Sequence, residues 1–133
     1  MRFEFTTATR IVFGPGSVSE LGALCAGLSV PGAKSQRALL ATNSMGAGKT
    51  LLDVLASQGM PVIDQLNQRG IEAVPFVVSD EPSVDLVRSG VRTAVDNQCD
   101  LIIGLGGGSA IDTAKAIASL AANGGDVLDY LEV

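Results

Sequence analysis

The sequence predicts an α/β fold, with a Rossmann-like parallel sheet, helices on both of its faces and a short β-hairpin at the N-terminus. Three apolar runs alternate with segments of helical periodicity, the pattern of parallel strands joined by helical crossovers. Hydrophobic residues make up 47% of the chain and aromatic residues only 4%, so the core must be aliphatic. A length of 133 residues suits a single domain.

The N-terminal segment is predicted to contain two short strands, over residues 2–8 and 10–13, followed by a helix. A Gly-Pro-Gly sequence breaks the chain after the second strand. Ser17 and Glu20 then have the spacing of a capping box, which predicts a short helix ending near residue 25.

Three apolar runs are the predicted strands of the sheet: residues 37–42, 71–78 and 100–105. Each is almost continuously apolar, as strands covered by helices on both faces must be. Pro75 cannot donate a backbone hydrogen bond, which favours an edge or strand-end position for the second run.

Four segments have helical patterns: residues 49–57, 62–68, 83–97 and 110–122. Pro61 separates the first two, because a proline inside a helix removes a hydrogen bond and clashes with the preceding turn. In the last segment Ala110, Ala114 and Ala118 recur every four residues and share one face. Such small side chains let this helix lie close to the sheet.

A turn of three glycines, Gly106, Gly107 and Gly108, separates the third strand from the last helix. Glycines let another group approach the backbone closely, and the N-terminus of a helix offers unpaired N–H groups and a positive dipole end. Together these features predict a binding site for an anion, most often a phosphate. Ser109 is the predicted N-cap, and Asp112 completes a start that resembles a capping box. A tight turn without any ligand is the alternative.

Two familiar nucleotide-binding motifs are incomplete. The dinucleotide fingerprint G-x-G-x-x-G, counted from Gly104, requires a third glycine where this chain has Ser109. Lys49 and Thr50 resemble the end of a P-loop, but that motif requires glycine at the position of Asn43, which makes a triphosphatase a poor fit.

Asn43 follows the first strand of the sheet. A carboxylate near that point of a dinucleotide-binding fold can hold the adenosine ribose and repel a 2′-phosphate. The neutral Asn43 is therefore either a cofactor contact or a turn residue in a left-handed conformation.

Charge and composition exclude several other functions. The net charge is −5 and the nine basic residues are scattered, so no nucleic-acid-binding face is predicted. There is no histidine, which removes imidazole as a metal ligand or proton carrier. The chain shows no signal peptide and no long apolar span, which predicts a cytoplasmic protein without a membrane partner.

Several segments resemble the N-terminal domain of the iron-containing (group III) alcohol dehydrogenases. They are residues 10–21 (RIVFGPGSVSEL), 81–84 (EPSV) and 100–117 (DLIIGLGGGSAIDTAKAI), and residues 123–133 resemble the segment that closes that domain. The GGGSxxDxAK block is the most specific of these. Maleylacetate reductases and glycerol dehydrogenases share much of the pattern.

The resemblance implies that residues 1–133 form a dinucleotide-binding domain that binds NAD or NADP. The predicted cofactor site consists of Gly106, Gly107, Gly108 and Ser109, of which the last three would contact the pyrophosphate. Asp112 would hold the turn in shape. Many family members carry Asp at the position of Asn43, where it favours NAD. The amide removes that charge, so we expect NADP to be tolerated.

The resemblance also implies hydride transfer between an alcohol and an aldehyde or ketone. A divalent metal, iron or zinc, would be held by an Asp and several His residues of a C-terminal helical domain, which is expected to be absent here. We therefore expect the chain alone to be inactive. A maleylacetate reductase-type enzyme and a stand-alone nucleotide- or phosphate-binding module are the alternatives, and a homo-oligomer stays open.

Overall fold

The computed structural model describes residues 12–28 and 36–130. The predicted N-terminal β-hairpin lies outside these residues except for its last two positions, Val12 and Phe13, which are not in a strand. No helix of the described part is long and apolar enough to cross a membrane.

The sheet has four described strands: β1 (Gln36–Gly46), β2 (Lys49–Thr50), β3 (Ile71–Val78) and β4 (Leu101–Leu105). β1 is central, because it pairs in parallel with β3 on one side and with β4 on the other. These three strands confirm the predicted parallel sheet. β2 adds a short antiparallel hairpin to the end of β1, which the sequence did not predict.

Within residues 12–28 and 36–130, five α-helices cover the sheet: α1 (Leu21–Ala26), α2 (Leu51–Ser57), α3 (Val62–Asn67), α4 (Val84–Asp96) and α5 (Gly108–Asn123). Leu40 of β1 clusters with side chains of α1, α2 and α3, and its neighbour Leu39 clusters with side chains of α4 and α5. Both leucines have no exposed surface. The sheet is therefore buried between two helical layers, as its continuous apolar strands predict, and each leucine contributes about 1.5–3 kcal/mol of hydrophobic burial.

The N-terminal capping box and the start of α2 differ from the sequence predictions. Residues Ser17–Glu20 form a 3₁₀ helix ahead of α1 with no side-chain cap, so the predicted capping box there is wrong. Lys49 and Thr50 form β2 instead of a helical turn, and α2 begins after them. There the N–H and hydroxyl groups of Thr50 both donate to Asp53, at 2.7 and 2.8 Å.

The start of α4 and the close packing of α5 follow the sequence. The hydroxyl of Ser83 accepts a hydrogen bond from the N–H of Leu86 at 3.2 Å, which caps α4 at the start of the predicted segment 83–97. An added Cβ at Gly104 of β4 would lie only 2.9 Å from the Cβ of Ala114. The small residues of α5 therefore do lie close against the sheet.

The carboxyl ends of β1 and β4 lie side by side at the point where the connections switch from one face of the sheet to the other. These strands are neighbours, yet β1 leads to α2 on one face of the sheet and β4 leads to α5 on the other. Such a topological switch point is where open α/β sheets bind their ligands.

Candidate phosphate-binding site

The glycine turn between β4 and α5 lies at this switch point. Gly107 is the N-cap of α5, and the first helical hydrogen bond runs from the N–H of Ile111 to its carbonyl oxygen at 3.1 Å. Ser109 is therefore the second residue of the helix, and its prediction as the N-cap is wrong. In a run of glycines each can take the extended cap conformation, which Gly107 adopts with φ −79° and ψ −170°.

Three N–H groups at the start of α5 have no acceptor within the described part of the chain. They belong to Gly108, Ser109 and Ala110. The helix behind them is 16 residues long, and its dipole places partial positive charge at this end. The start of α5 is therefore a set of donors arranged for an anion.

Asn43 joins the end of β1 to this turn. Its Oδ1 accepts a hydrogen bond from the N–H of Gly107 at 2.7 Å, and its Nδ2 donates to the hydroxyl oxygen of Ser109 at 3.3 Å. Asn43 lies in β1, which continues to Gly46, and its φ is not positive. The alternative of a left-handed turn asparagine is therefore wrong.

The three glycines of the turn have different structural roles. Gly106 has φ 153°, and a Cβ there would strike the Asn43 side chain and lie 3.1 Å from the Cβ of Ala110. A Cβ on Gly107 would come no closer than 3.8 Å to any atom, and one on Gly108 would meet nothing within 4 Å. Packing within the protein thus requires Gly106, whereas Gly107 and Gly108 leave open space above the free N–H groups.

Asp112 does not contact the turn. Its carboxylate accepts a hydrogen bond from Nζ of Lys115 at 3.1 Å, and 63% of its side chain is exposed. Because α5 begins at Gly108, Asp112 is the fifth residue of the helix, whereas a capping box requires the third. The predicted capping box at this turn is therefore wrong, and in the described residues no bond from Asp112 holds the turn.

The pKa shifts of the described residues lie outside the glycine turn. The clearest shift belongs to Asp126, where a hydrogen bond from Arg88 lowers the pKa to about 2. Burial raises the pKa values of the thiols of Cys25 and Cys99. The described part of the chain also contains no group of three or more Asp, Glu, Cys or His residues that could hold a metal. The unpaired N–H groups at the start of α5 can bind an anion.

The P-loop interpretation also fails. The motif places its lysine in the first turn of a helix behind a phosphate-binding loop. Lys49 instead lies on β2, exposed, ahead of the residue that caps α2. Of the predicted site residues, the structure brings Asn43 together with the glycine turn and Ser109, and leaves Asp112 outside.

Comparison with known proteins identifies one matching family model and several similar dehydrogenases. The family model described as iron-containing alcohol dehydrogenase matches residues 8–133. A choline dehydrogenase of Bacillus subtilis is 38% identical over 127 residues, which cover 95% of this chain and 29% of that relative. An NAD-dependent methanol dehydrogenase of Bacillus methanolicus is 34% identical over 122 residues, which cover 90% of this chain and 28% of that protein.

Solved structures agree on the fold. An NADH-dependent butanol dehydrogenase from Thermotoga maritima superposes with a TM-score of 0.73 at 29% identity, covering 96% of this chain and 30% of that one. A maleylacetate reductase from Agrobacterium tumefaciens shares the fold alone, at 21% identity and a TM-score of 0.59, covering 92% of this chain and 31% of that one. The chain thus spans less than a third of the length of each of these proteins.

Proposed function

Since the chain belongs to the iron-containing alcohol dehydrogenase family, we propose that it supplies the NAD(P)-binding half of an enzyme that transfers hydride between an alcohol and an aldehyde or ketone. One observation carries the proposal. The N–H groups of Gly108 and Ser109 at the start of α5 are unpaired and belong to residues with exposed surface, beside the open space at Gly107 and Gly108. A pyrophosphate fits both features, because it is an anion that accepts several hydrogen bonds and needs close approach to the backbone.

The residues of the site have distinct roles in this proposal. The N–H groups of Gly108 and Ser109 bind the pyrophosphate, and the absence of a side chain on Gly107 keeps the approach open. Asn43 lies beside them at the end of β1, where it reaches the adenosine ribose. Gly106 supports the site by letting Asn43 pack against the turn.

The bound nicotinamide cofactor supplies the group that accepts or donates hydride. The described residues hold the cofactor and orient it, and they contain no group of three or more Asp, Glu, Cys or His residues that could hold a divalent metal. An iron or zinc ion would activate the substrate oxygen in such an enzyme. We expect the chain by itself to bind cofactor without turnover.

The neutral site favours tolerance of both cofactors. No carboxylate lies at the position of Asn43, so a 2′-phosphate meets no negative charge from that side chain. We also propose that the substrate is a small alcohol or aldehyde, that the protein is cytoplasmic and that it forms a homo-oligomer.

A stand-alone phosphate-binding module is the second candidate, because the unpaired N–H groups at the start of α5 are by themselves sufficient to bind an anion. A turnover assay with NAD, ethanol or 1-butanol and Fe(II) or Zn(II) separates the two candidates in any longer polypeptide that carries this sequence. Turnover supports the dehydrogenase, and cofactor binding without turnover supports the module. A maleylacetate reductase has only the shared fold in its favour.

Binding itself is tested by titrating the chain with NADH and NADPH and following nicotinamide fluorescence. A Cβ at Gly107 would lie 3.8 Å from Oδ1 of Asn43, so Gly107→Val should fold, while its branched side chain covers the turn and lowers affinity at least tenfold. Ser119→Val is the matched control, because it adds the same side chain to an exposed position at the far end of α5. Equal affinity of the two variants would refute the proposed site.

A further inference from the structure

We propose that Asn43 is a positioning residue whose amide directs the hydroxyl hydrogen of Ser109 toward a ligand phosphate. The inference rests on the proposed function, because it concerns the same turn. It assigns the asparagine a role that a carboxylate at this position cannot have.

The orientation of the Asn43 amide is fixed by chemistry. The N–H of Gly107 can only donate, so the side-chain atom 2.7 Å from it must be the oxygen, Oδ1. The amide nitrogen therefore faces the hydroxyl oxygen of Ser109, at 3.3 Å. Because the amide nitrogen Nδ2 can donate hydrogen bonds but cannot accept them, the hydroxyl oxygen of Ser109 is the acceptor in this contact.

This contact leaves the hydroxyl hydrogen of Ser109 unused. A hydroxyl has one hydrogen to donate and two lone pairs, and Nδ2 of Asn43 takes one of the lone pairs. Within the described ranges no group accepts a hydrogen bond from this hydroxyl. Phosphate oxygens only accept, so a phosphate bound to the free N–H groups beside Ser109 completes the bonding of the hydroxyl.

A carboxylate at position 43 would reverse this direction. One of its oxygens could still accept from the N–H of Gly107, but the other has no hydrogen and would accept the hydroxyl hydrogen of Ser109. The hydroxyl would then present only a lone pair to the phosphate. Asn43→Asp should therefore weaken phosphate binding through Ser109, in addition to any repulsion between charges.

A double-mutant cycle on the chain separates these two effects, with ADP as the probe because it has no 2′-phosphate and no nicotinamide. Dissociation constants are measured calorimetrically for the unchanged chain and for Ser109→Ala, Asn43→Asp and the double variant. We expect Ser109→Ala alone to weaken ADP binding about tenfold, the loss of one hydrogen bond to a charged group. In the Asn43→Asp background the same change should weaken binding less than about twofold, because the hydrogen already points to the carboxylate. An equal loss in both backgrounds would overturn the inference.

Asn43→Ala tests whether Asn43 directs the hydroxyl hydrogen of Ser109 or only supports the turn. Alanine neither donates nor accepts, so the Ser109 hydroxyl stays free to turn toward phosphate and Ser109→Ala should still weaken ADP binding several-fold. If Ser109→Ala has no effect in that background either, Asn43 only holds the turn in place and the directional role is wrong. An unchanged chain that does not bind ADP would refute the proposed function itself, together with this inference.

Discussion

Replacing Gly106 with alanine separates the glycine that the fold requires from those that a ligand requires. Gly106 has φ 153°, a conformation that residues with side chains rarely adopt. Its new Cβ would strike the side chain of Asn43 and lie 3.1 Å from the Cβ of Ala110. Asn43 would have to move, which breaks its hydrogen bonds to Gly107 and Ser109.

The cost follows from these two effects. Backbone strain at such a position is worth about 1–3 kcal/mol, and each lost hydrogen bond about 0.5–1.5 kcal/mol. The sum is roughly 2–6 kcal/mol, and we expect the lower half because Asn43 is only half-buried and water can replace its partners. For a domain of this size a loss of about 2–4 kcal/mol lowers the Tm by about 6–20 °C.

Gly108→Ala is the matched control, two residues away. A Cβ there meets nothing within 4 Å, and alanine has a higher helix propensity than glycine, so stability should stay level or rise by up to about 1 kcal/mol. The methyl group would nevertheless project into the space above the turn and weaken NADH binding. Thermal unfolding followed by circular dichroism and NADH titration measure both properties. An unchanged Tm for Gly106→Ala, or equal losses of stability in both variants, would refute the different roles of the two glycines.

Three further outcomes follow from the structure. Asn43→Asp should raise the ratio of NADPH to NADH dissociation constants, and an unchanged ratio would remove Asn43 from the ribose end of the site. Arg88 lowers the pKa of Asp126 to about 2, below the unfolded value of about 3.9. The ion pair therefore stabilises the fold fully above about pH 3.9, and its contribution is lost as the pH falls through about 2. The stability difference between the unchanged chain and Arg88→Ala, measured by urea unfolding, should therefore shrink between about pH 4 and pH 2, and a constant difference would contradict the pairing. Ile117→Ala removes a side chain with no exposed surface and should cost about 2–5 kcal/mol, whereas a cost below about 1 kcal/mol would place Ile117 outside the core.

The three parallel strands could be predicted because they are almost continuously apolar, and the central strand β1 has a continuous run of buried residues, whereas β3 keeps exposed positions. Their order could not, because hydrophobic pattern identifies a strand and not its neighbour. β1 lies between β3 and β4, and only this order brings Asn43 beside the glycine turn. The sequence marked Asn43 as a candidate from its place after a strand, but the hydrogen bonds to Gly107 and Ser109 needed the fold.

The prediction from local sequence was wrong where the same residues are compatible with two different structures. Ser109 and Asp112 have capping-box spacing, yet the cap moves to Gly107, because a glycine before the serine adopts the extended conformation equally well. Lys49 and Thr50 were predicted to begin a helix. Gly46 and Gly48 instead adopt positive φ values in the turn of a hairpin, which extends β1 beyond its apolar run.

The most direct measurement of where phosphate binds is a two-dimensional ¹⁵N–¹H NMR titration of the labelled chain with ADP. We predict the largest amide shifts at Gly108, Ser109 and Ala110, whose N–H groups are free, and a smaller shift at Gly107, which stays bonded to Asn43. Shifts concentrated elsewhere, for example around the cavity lined by Arg88, Arg92 and Asp126 between α4 and the segment that follows α5, would contradict a phosphate site at the glycine turn.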